Sequence, residues 1–158
     1  MASKLNLDKL DLQIIQEMLH NAETSYAELG KKLFVSGGTI HVRIKKLEEF
    51  GIVRGKKLTV NLKELGYDIT AFVGIFLEKG SLYDTVAKEL EKIPEIVRLN
   101  YTTGNYSMYN EIICKDINQL RNVLHDDLQN IKGIERTETL ISLEESFNRN
   151  VQVARDAS

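Results

Sequence analysis

Two short helical patterns joined by only three residues, Phe34-Val35-Ser36, constrain this chain more than any other feature. The first pattern opens at Ser25-x-x-Glu28, a capping box in which the serine accepts a free helix amide and the glutamate reaches back. Ser36 can cap the second pattern, and Gly51 ends it. The apolar positions of the second pattern share one helix face: Ile40, Ile44 and Leu47. Because the join is so short, the helices must cross steeply, as in a helix-turn-helix.

The second helix presents a polar and basic face suited to a DNA major groove. We expect this outward face to comprise Gly38, Thr39, His41, Arg43, Lys45 and Lys46. Residues 31–57 hold 8 Lys or Arg against 2 Asp or Glu, although the whole chain has a formal net charge of −2. Such a local excess can neutralise phosphates, and the resulting affinity would fall with salt. A solvated helix face with lysines for solubility is the alternative.

The residues of this face are expected to play different roles on double-stranded DNA. Ser36 and Thr39 stand at the helix start, where hydroxyls and amides suit phosphate contacts. Candidates for base edges are Arg43, Lys46 and His41, since a guanidinium can pair with guanine through two hydrogen bonds. Lys45 is expected to touch the DNA backbone. An intramolecular ion pair is the alternative for Arg43, and a plain surface position is the alternative for His41.

Residues 52–60 predict a small hairpin wing beside the helix-turn-helix. Two β-prone runs flank Gly55, and the basic residues Arg54, Lys56 and Lys57 would lie at the tip, next to the DNA backbone. An inert connector is the alternative. A further helix over residues 8–20, capped by Asp8, completes a three-helix core. The sequence therefore predicts a winged helix-turn-helix domain over residues 1–61 and a second domain over residues 62–158.

In the second half of the chain, the spacing of the apolar residues differs from that of the first half and predicts a β-α-β-β-α-β order. Strands are expected over residues 69–77, 96–101, 106–114 and 134–143, with helices capped by Ser81 and Asp116. Two tandem β-α-β units are typical of a ferredoxin-like α+β sandwich, whose helices cover one face of the sheet. Phe72 and Phe76 would then lie on the open face. An apolar face of this kind predicts a second copy of the chain as its partner.

Other patterns exclude several classes of protein. No apolar run approaches the roughly 18 residues of a membrane helix, and no hydrophobic signal core is present, so we expect a cytoplasmic protein without a membrane partner. The single cysteine, Cys114, lies in an apolar stretch and is expected to be a core residue. The three histidines of the chain are scattered without metal-ligand spacing, and no phosphate-binding loop is present. We therefore expect no enzyme, cofactor or metal site.

Several motifs together resemble the Lrp/AsnC family of bacterial and archaeal transcription regulators, over roughly residues 5–145. The motifs are Leu7-Asp8-x3-Leu12-x2-Ile15, Ser25 to Gly30, Val35-Ser36 with Thr39 to Arg43, Gly51-Ile52-Val53, Leu65 to Asp68, Tyr101 to Ser107, and Thr137 to Ile141. The resemblance is strongest to the asparagine-responsive branch. It implies homodimers that bind palindromic sites and assemble further, to octamers.

The loop from Tyr101 to Ser107 clusters hydroxyls, one amide and a glycine, and amides in such a turn can cradle a carboxylate. From these residues alone, a plain turn between two strands is the better interpretation. The resemblance implies instead an amino-acid effector site, with asparagine as the first candidate and a neighbouring subunit contributing. The implied effector residues are Tyr101, Thr103, Gly104, Tyr106, Ser107 and Gln129. Asn105, Asn110 and Glu111 are less typical of the family and are expected to tune ligand choice.

One position departs from the family. Proline commonly follows the serine of the Val-Ser pair, whereas this chain has Gly37 and then Gly38. Each glycine raises the cost of ordering the helix start by about 1 kcal/mol relative to alanine, which predicts a looser start. Two other hypotheses remain open: an architectural DNA-wrapping protein without a functional effector site, and an amino-acid-binding oligomer that no longer binds DNA.

Overall fold

The computed structural model describes residues 6–154, and these fall into two compact units. The first unit contains residues up to Thr59 together with those from Phe147 onward, and the second contains Val60–Ser146. Within residues 6–154, no helix has the length and apolar character needed to cross a membrane.

Three helices form the first unit: α1 (Lys9–His20), α2 (Tyr26–Leu33) and α3 (Gly37–Glu49). The predicted caps are present, since the Asp8, Ser25 and Ser36 side chains each accept an amide at the start of a helix. Buried apolar side chains from all three helices form one core: Ile14, Leu29, Ile40 and Ile44. The predicted helix-turn-helix is confirmed.

A tight turn joins α2 to α3. Phe34 adopts the left-handed conformation, with φ of 59°, and its side chain is 95% exposed. The Val35 amide donates to the Gly30 carbonyl at 2.9 Å. A Cβ on Gly30 would lie only 2.6 Å from the Val35 carbonyl oxygen, so the turn can approach α2 this closely only over a glycine.

The predicted hairpin wing is wrong. Gly51 ends α3 with φ of 68°, and the Ile52 amide donates back to the Leu47 carbonyl at 2.9 Å. Beyond this turn, residues 52–60 contain no strand and no ladder, and Leu58 is 86% exposed. An isolated two-stranded hairpin is marginally stable, and pairing these short runs would also concentrate three cations at one tip. The segment is therefore an extended connector.

The C-terminal segment also departs from the expected division at residue 62. It belongs to the first unit, where the Asn150 amide group donates to the Leu19 carbonyl at 2.8 Å. The Val153 backbone amide donates to Gln16 Oε1, also at 2.8 Å. Both partners lie on α1, so hydrogen bonds to that helix hold this segment.

The second unit contains a four-stranded sheet and two main helices, which confirms the ferredoxin-like α+β prediction. Its elements are β1 (Ile69–Leu77), α4 (Tyr83–Leu90), β2 (Ile96–Tyr101), β3 (Met108–Cys114), α5 (Ile117–Asn122) and β4 (Ile134–Ile141). The strand order is β2-β3-β1-β4, and all neighbouring strands are antiparallel. Asp116 caps α5 as predicted, through the Gln119 amide at 2.8 Å. Ser81 does not cap α4, because a 3-10 turn over Gly80–Leu82 leads into that helix instead.

Apolar side chains on one side of the sheet pack against α4, α5 and the turns after α5. The core includes Ala71, Val73, Ile75, Met108, Ile112, Val86, Leu90, Leu120 and Leu128. Cys114 belongs to it, and burial raises the pKa of its thiol to about 11, with Glu95 and Asp116 adding to the effect. This thiol therefore stays protonated and unreactive near neutral pH.

Asn110 is the exception in this core. Its residue is 1% exposed, and neither polar atom of its side chain has a hydrogen-bond partner among the described residues. It alternates with buried Met108 and Ile112 on β3, so it lies on the buried side of the strand. The side chain of Asn110 is therefore enclosed in the core rather than exposed on the loop, and its effect on ligand choice stays a prediction.

Candidate DNA interface and effector loop

The start of α3 is exposed and polar. The Ser36 hydroxyl accepts the Thr39 amide at 3.1 Å and lies 2.9 Å from the Thr39 hydroxyl. Gly38 is exposed beside them. The His41 ring lies 5.5 Å from the Tyr26 ring, so it rests against α2 while remaining exposed.

Arg43 does not project freely, which corrects the expectation for this residue. Its Nη1 atom donates to Asp8 Oδ2 at 2.6 Å and to Asp11 Oδ1 at 2.8 Å, and its side chain is only 30% exposed. The ion pair raises the pKa of Arg43 and, with the Asp11 amide, lowers the pKa of Asp8. The intramolecular ion pair is therefore the interpretation that the structure supports. Its cause is the acidic first turn of α1, which faces α3.

Five other cations remain available around α3 and the connector. Lys45 and Lys46 lie on α3, and Arg54, Lys56 and Lys57 lie on the extended segment after it; all are exposed. None forms a salt bridge with a carboxylate in the part of the chain that the structure describes. Lys32, by contrast, is paired with Glu17 of α1. The free cations supply the positive charge that a phosphate backbone requires.

Hydrogen bonds close the Tyr101 to Ser107 loop. The Thr102 hydroxyl donates to the Tyr106 carbonyl at 2.7 Å, and the Thr102 amide donates to the Ser107 carbonyl at 3.2 Å. Gly104 turns the chain in the left-handed region, with φ of 101°. Thr103, Gly104 and Asn105 are exposed at the tip. The loop is thus a defined turn with its tip open to solvent.

Both ends of the loop are anchored on the second unit. The Ser107 amide donates to the Ile75 carbonyl of β1 at 2.9 Å, and its hydroxyl accepts the Leu77 amide at 3.4 Å. At the other end, the Tyr101 ring lies 4.4 Å from the Tyr83 ring of α4. The Ser107 side chain is therefore engaged inside the fold, whereas Tyr101 remains 62% exposed.

Tyr106 leaves the loop and lies on the sheet. Its ring covers Gly74 of β1 so closely that a Cβ there would come within 2.4 Å of the ring. Its hydroxyl donates to Glu138 of β4 at 2.8 Å, and this bond raises the pKa of Tyr106 while lowering the pKa of Glu138. Arg136 donates to the same carboxylate at 2.6 Å and lies 3.6 Å over the Phe76 ring.

The side of the sheet away from the core is lined by four aromatic rings, which we call the aromatic face: Phe72, Phe76, Tyr106 and Tyr109. The Phe72 and Tyr109 rings stack 6.0 Å apart, and the Phe76 ring meets the Tyr106 ring edge-on at 5.2 Å. The sequence predicted the two phenylalanines here. It missed the two tyrosines, although the alternation of β3 after buried Met108 would have placed Tyr109 on this face.

Gln129 stands apart from the loop in sequence and in bonding. It is exposed in a 3-10 turn over Leu128–Asn130, after a π-helical turn over Val123–Asp127. No hydrogen bond joins it to the loop within residues 6–154. In the same residues, no group of three His, Cys, Asp or Glu side chains could hold a metal ion.

Comparisons with known proteins assign both parts of the chain. Residues 7–48 match the AsnC-type helix-turn-helix domain, and residues 70–151 match the Lrp/AsnC ligand binding domain. The chain is 40% identical to the regulatory protein AsnC of Escherichia coli K12 over 146 residues, covering 92% of this chain and 96% of that protein. It is 41% identical to regulatory protein AsnC of Haemophilus influenzae over 147 residues, covering 93% and 98%.

Solved structures agree with this assignment. The structure of Escherichia coli AsnC superposes with a TM-score of 0.89 at 39% identity, covering 94% of this chain and 99% of that one. A transcriptional regulator from Neisseria meningitidis, solved in complex with L-Met, shares the fold with a TM-score of 0.86 at 23% identity, covering 91% and 94%. The chain therefore belongs to the Lrp/AsnC family of transcriptional regulators, with a helix-turn-helix domain followed by a ligand-binding domain.

Proposed function

We propose that this chain is a sequence-specific DNA-binding regulator whose activity responds to an amino acid bound at the Tyr101 to Ser107 loop, between ferredoxin-like domains of neighbouring subunits. One observation carries the proposal: Tyr106 belongs to both the loop and the aromatic face. Its carbonyl accepts the bond that closes the loop, while its ring lies on the sheet. A ligand that changes the loop would therefore also change the surface through which copies of the chain associate.

For DNA, the start of α3 and the free cations supply the contacts. Ser36, Gly38 and Thr39 would approach a phosphate, since helix N-termini favour anions. Lys46 and His41 are the remaining candidates for base edges, and Lys45 with the connector cations would hold the backbone. A regulator of this kind would work in the cytoplasm, where the DNA is.

For the effector, the open tip of the loop supplies neutral dipoles. Thr103 and Gly104 are exposed there, and Tyr101 lies at the edge of the loop. A zwitterionic amino acid needs amides and hydroxyls for its carboxylate and acceptors for its ammonium. Gln129 would come from a neighbouring subunit or from a rearranged turn. Asparagine is the first ligand to test, on the resemblance to the asparagine-responsive branch of the family.

For assembly, a second copy would cover the aromatic face. Phe72, Phe76 and the two tyrosines keep part of their ring surface open in a single chain, and burying them stabilises a dimer in proportion to the apolar area removed from water. Each dimer presents two copies of α3, one for each half of a palindromic DNA site. Further assembly, to octamers, would bring loops of different dimers together.

Calorimetric titration with each common amino acid tests the effector site, and fluorescence anisotropy with a duplex selected from a random library tests DNA binding. We expect asparagine to bind and to change DNA affinity or assembly. Gly104→Ala should abolish the response. Gly66→Ala is the matched control, because Gly66 has the same left-handed requirement, with φ of 81°, and equally open surroundings, but lies outside the loop.

Two results would contradict the proposal. If the chain selects a duplex but no amino acid alters its affinity or assembly at millimolar concentration, the chain is an architectural DNA-binding protein without an effector site. If amino acids bind but no duplex is selected, it is an amino-acid-binding oligomer.

A further inference from the structure

We infer that Arg43 is a positioning residue that fixes α3 against the first turn of α1. The preference of the protein between DNA sequences then depends on Arg43 because Arg43 sets the orientation of α3. This inference rests on the proposed DNA binding by α3. It goes beyond that proposal because it places the α1 residues Asp8 and Asp11 in the recognition machinery, although neither would touch DNA favourably.

The geometry of the ion pair supports this role. A single nitrogen of Arg43 lies 2.6 Å from Asp8 and 2.8 Å from Asp11. The two carboxylates are themselves fixed by the capping box of α1. The Asp11 amide donates to Asp8 at 2.9 Å, and the Asp8 amide donates to Asp11 at 3.1 Å. The guanidinium therefore binds a preformed anionic site rather than two mobile surface side chains.

Partial burial strengthens the contact between Arg43 and Asp11 beyond an ordinary surface pair, whereas Asp8 is 54% exposed. Arg43 is 30% exposed and Asp11 only 13% exposed, so solvent screens their attraction incompletely. Arg43 directly precedes Ile44, which is 1% exposed in the three-helix core. The buried face of α3 sets which side of the helix turns inward, and the adjacent ion pair adds a directional constraint on that orientation.

Electrostatics also argue against release of Arg43 on DNA. If the guanidinium left to contact a base, Asp8 and Asp11 would remain close together without a counter-charge, near a phosphate backbone. Like charges at this spacing repel each other and repel the phosphates. The favourable arrangement on DNA therefore keeps Arg43 on α1 and leaves the base edges to its neighbours on α3.

The test uses the full chain and two duplexes: one selected from a random library by the unaltered chain, and a scrambled duplex of the same composition. The variants are Arg43→Gln, Asp8→Asn with Asp11→Asn, and all three changes together. Each dissociation constant is measured over a series of salt concentrations. Glu17→Gln is the matched control, since it breaks the pair between α1 and Lys32 of α2 without touching α3.

We expect Arg43→Gln and the double aspartate variant each to reduce discrimination between the two duplexes by about tenfold, and the triple variant to lose no more than either. Arg43→Gln should leave the salt dependence of scrambled-duplex binding unchanged, because the guanidinium neutralises no phosphate. Glu17→Gln should retain full discrimination.

Two results would overturn the inference. Retained or increased discrimination in the double aspartate variant, with loss in Arg43→Gln, would make Arg43 a base reader. Lower thermal stability with unchanged discrimination in both would reduce the ion pair to a fold-stabilising contact. Asp8→Asn alone keeps the test valid if Arg43→Gln does not fold, because Asp8 is half-exposed. If the unaltered chain selects no duplex, it is the proposed function that fails instead.

Discussion

Replacing Asn110 by leucine should stabilise the ferredoxin-like unit. Asn110 is 1% exposed, and its side-chain oxygen and nitrogen both lack partners among the described residues. Each buried polar group without a hydrogen bond costs about 1–3 kcal/mol relative to its hydrated state. Leucine has the same branched arrangement of four side-chain heavy atoms as asparagine and suits the apolar neighbours of β3, although its two methyl groups need more room. The polar cost would thus be removed, at the expense of some repacking around the larger side chain.

The expected gain is about 2 kcal/mol, which takes the lower end of the cost for two groups and allows for imperfect packing of the new side chain. For a domain of this size, each kcal/mol shifts the melting temperature by about 4–8 °C, so Asn110→Leu should raise it by about 8–16 °C. Thermal and urea unfolding, followed by circular dichroism at one fixed protein concentration, measure the change. The concentration is fixed because association alters the apparent stability.

Asn100→Leu is the matched control for this prediction. Asn100 lies on the neighbouring strand β2, opposite Tyr109, and is exposed. The same substitution there removes no buried polar group, so it should change the free energy of unfolding by less than about 0.5 kcal/mol. The reasoning is refuted if Asn110→Leu lowers stability by about 1 kcal/mol or more, because the unpaired amide is then not the dominant cost at this position.

Three further predictions concern the helix-turn-helix unit. Gly30→Ala should lower the free energy of unfolding of this unit by about 1–3 kcal/mol, because a Cβ there clashes with backbone. Gly38→Ala should raise that free energy by up to about 1 kcal/mol. Chemical denaturation measures both changes, and the same sign for the two variants would contradict the reasoning. The pKa of Asp8 lies below its ordinary value of 3.8, so its stability contribution is complete above that value and is lost as the pH falls through the folded pKa. Unfolding of the chain and of Asp8→Asn, compared from about pH 7 to about pH 2, should show that loss, and a constant difference would refute it. Lys56→Ala should weaken binding to selected and scrambled duplexes equally and reduce the salt slope by about 1, and a selective loss would make Lys56 a base reader.

Local signals in the sequence predicted the elements that depend on neighbouring residues. The caps at Asp8, Ser25, Ser36 and Asp116 each involve residues three positions apart, and all four are present. Alternating and helical apolar patterns likewise located the strands and the core. These features are predictable because their physical cause lies within one turn or one strand of the residue itself.

The features that the sequence missed depend on distant partners. Arg43 has its carboxylates on another helix, and the reason for Gly74 is a tyrosine on another segment. The prediction of the hairpin wing was wrong for a related reason, since β propensity in residues 52–60 cannot show whether a strand has a partner to pair with. The burial of Asn110 follows from its alternation with Met108 and Ile112 along β3, but an asparagine at a core position is unusual, and no signal in the sequence predicted one there.

The close fit of the Tyr106 ring over Gly74 has an evolutionary consequence. Any side chain at position 74 would occupy the space of the aromatic ring, so the Tyr106 ring can keep its place on the sheet only while position 74 remains glycine. A lineage that gains a side chain at position 74 must also change position 106, and the loop closure and the aromatic face then change together. In the function proposed above, the same pair of positions therefore constrains both the effector loop and the surface for a second copy, so a change at either position would alter both together.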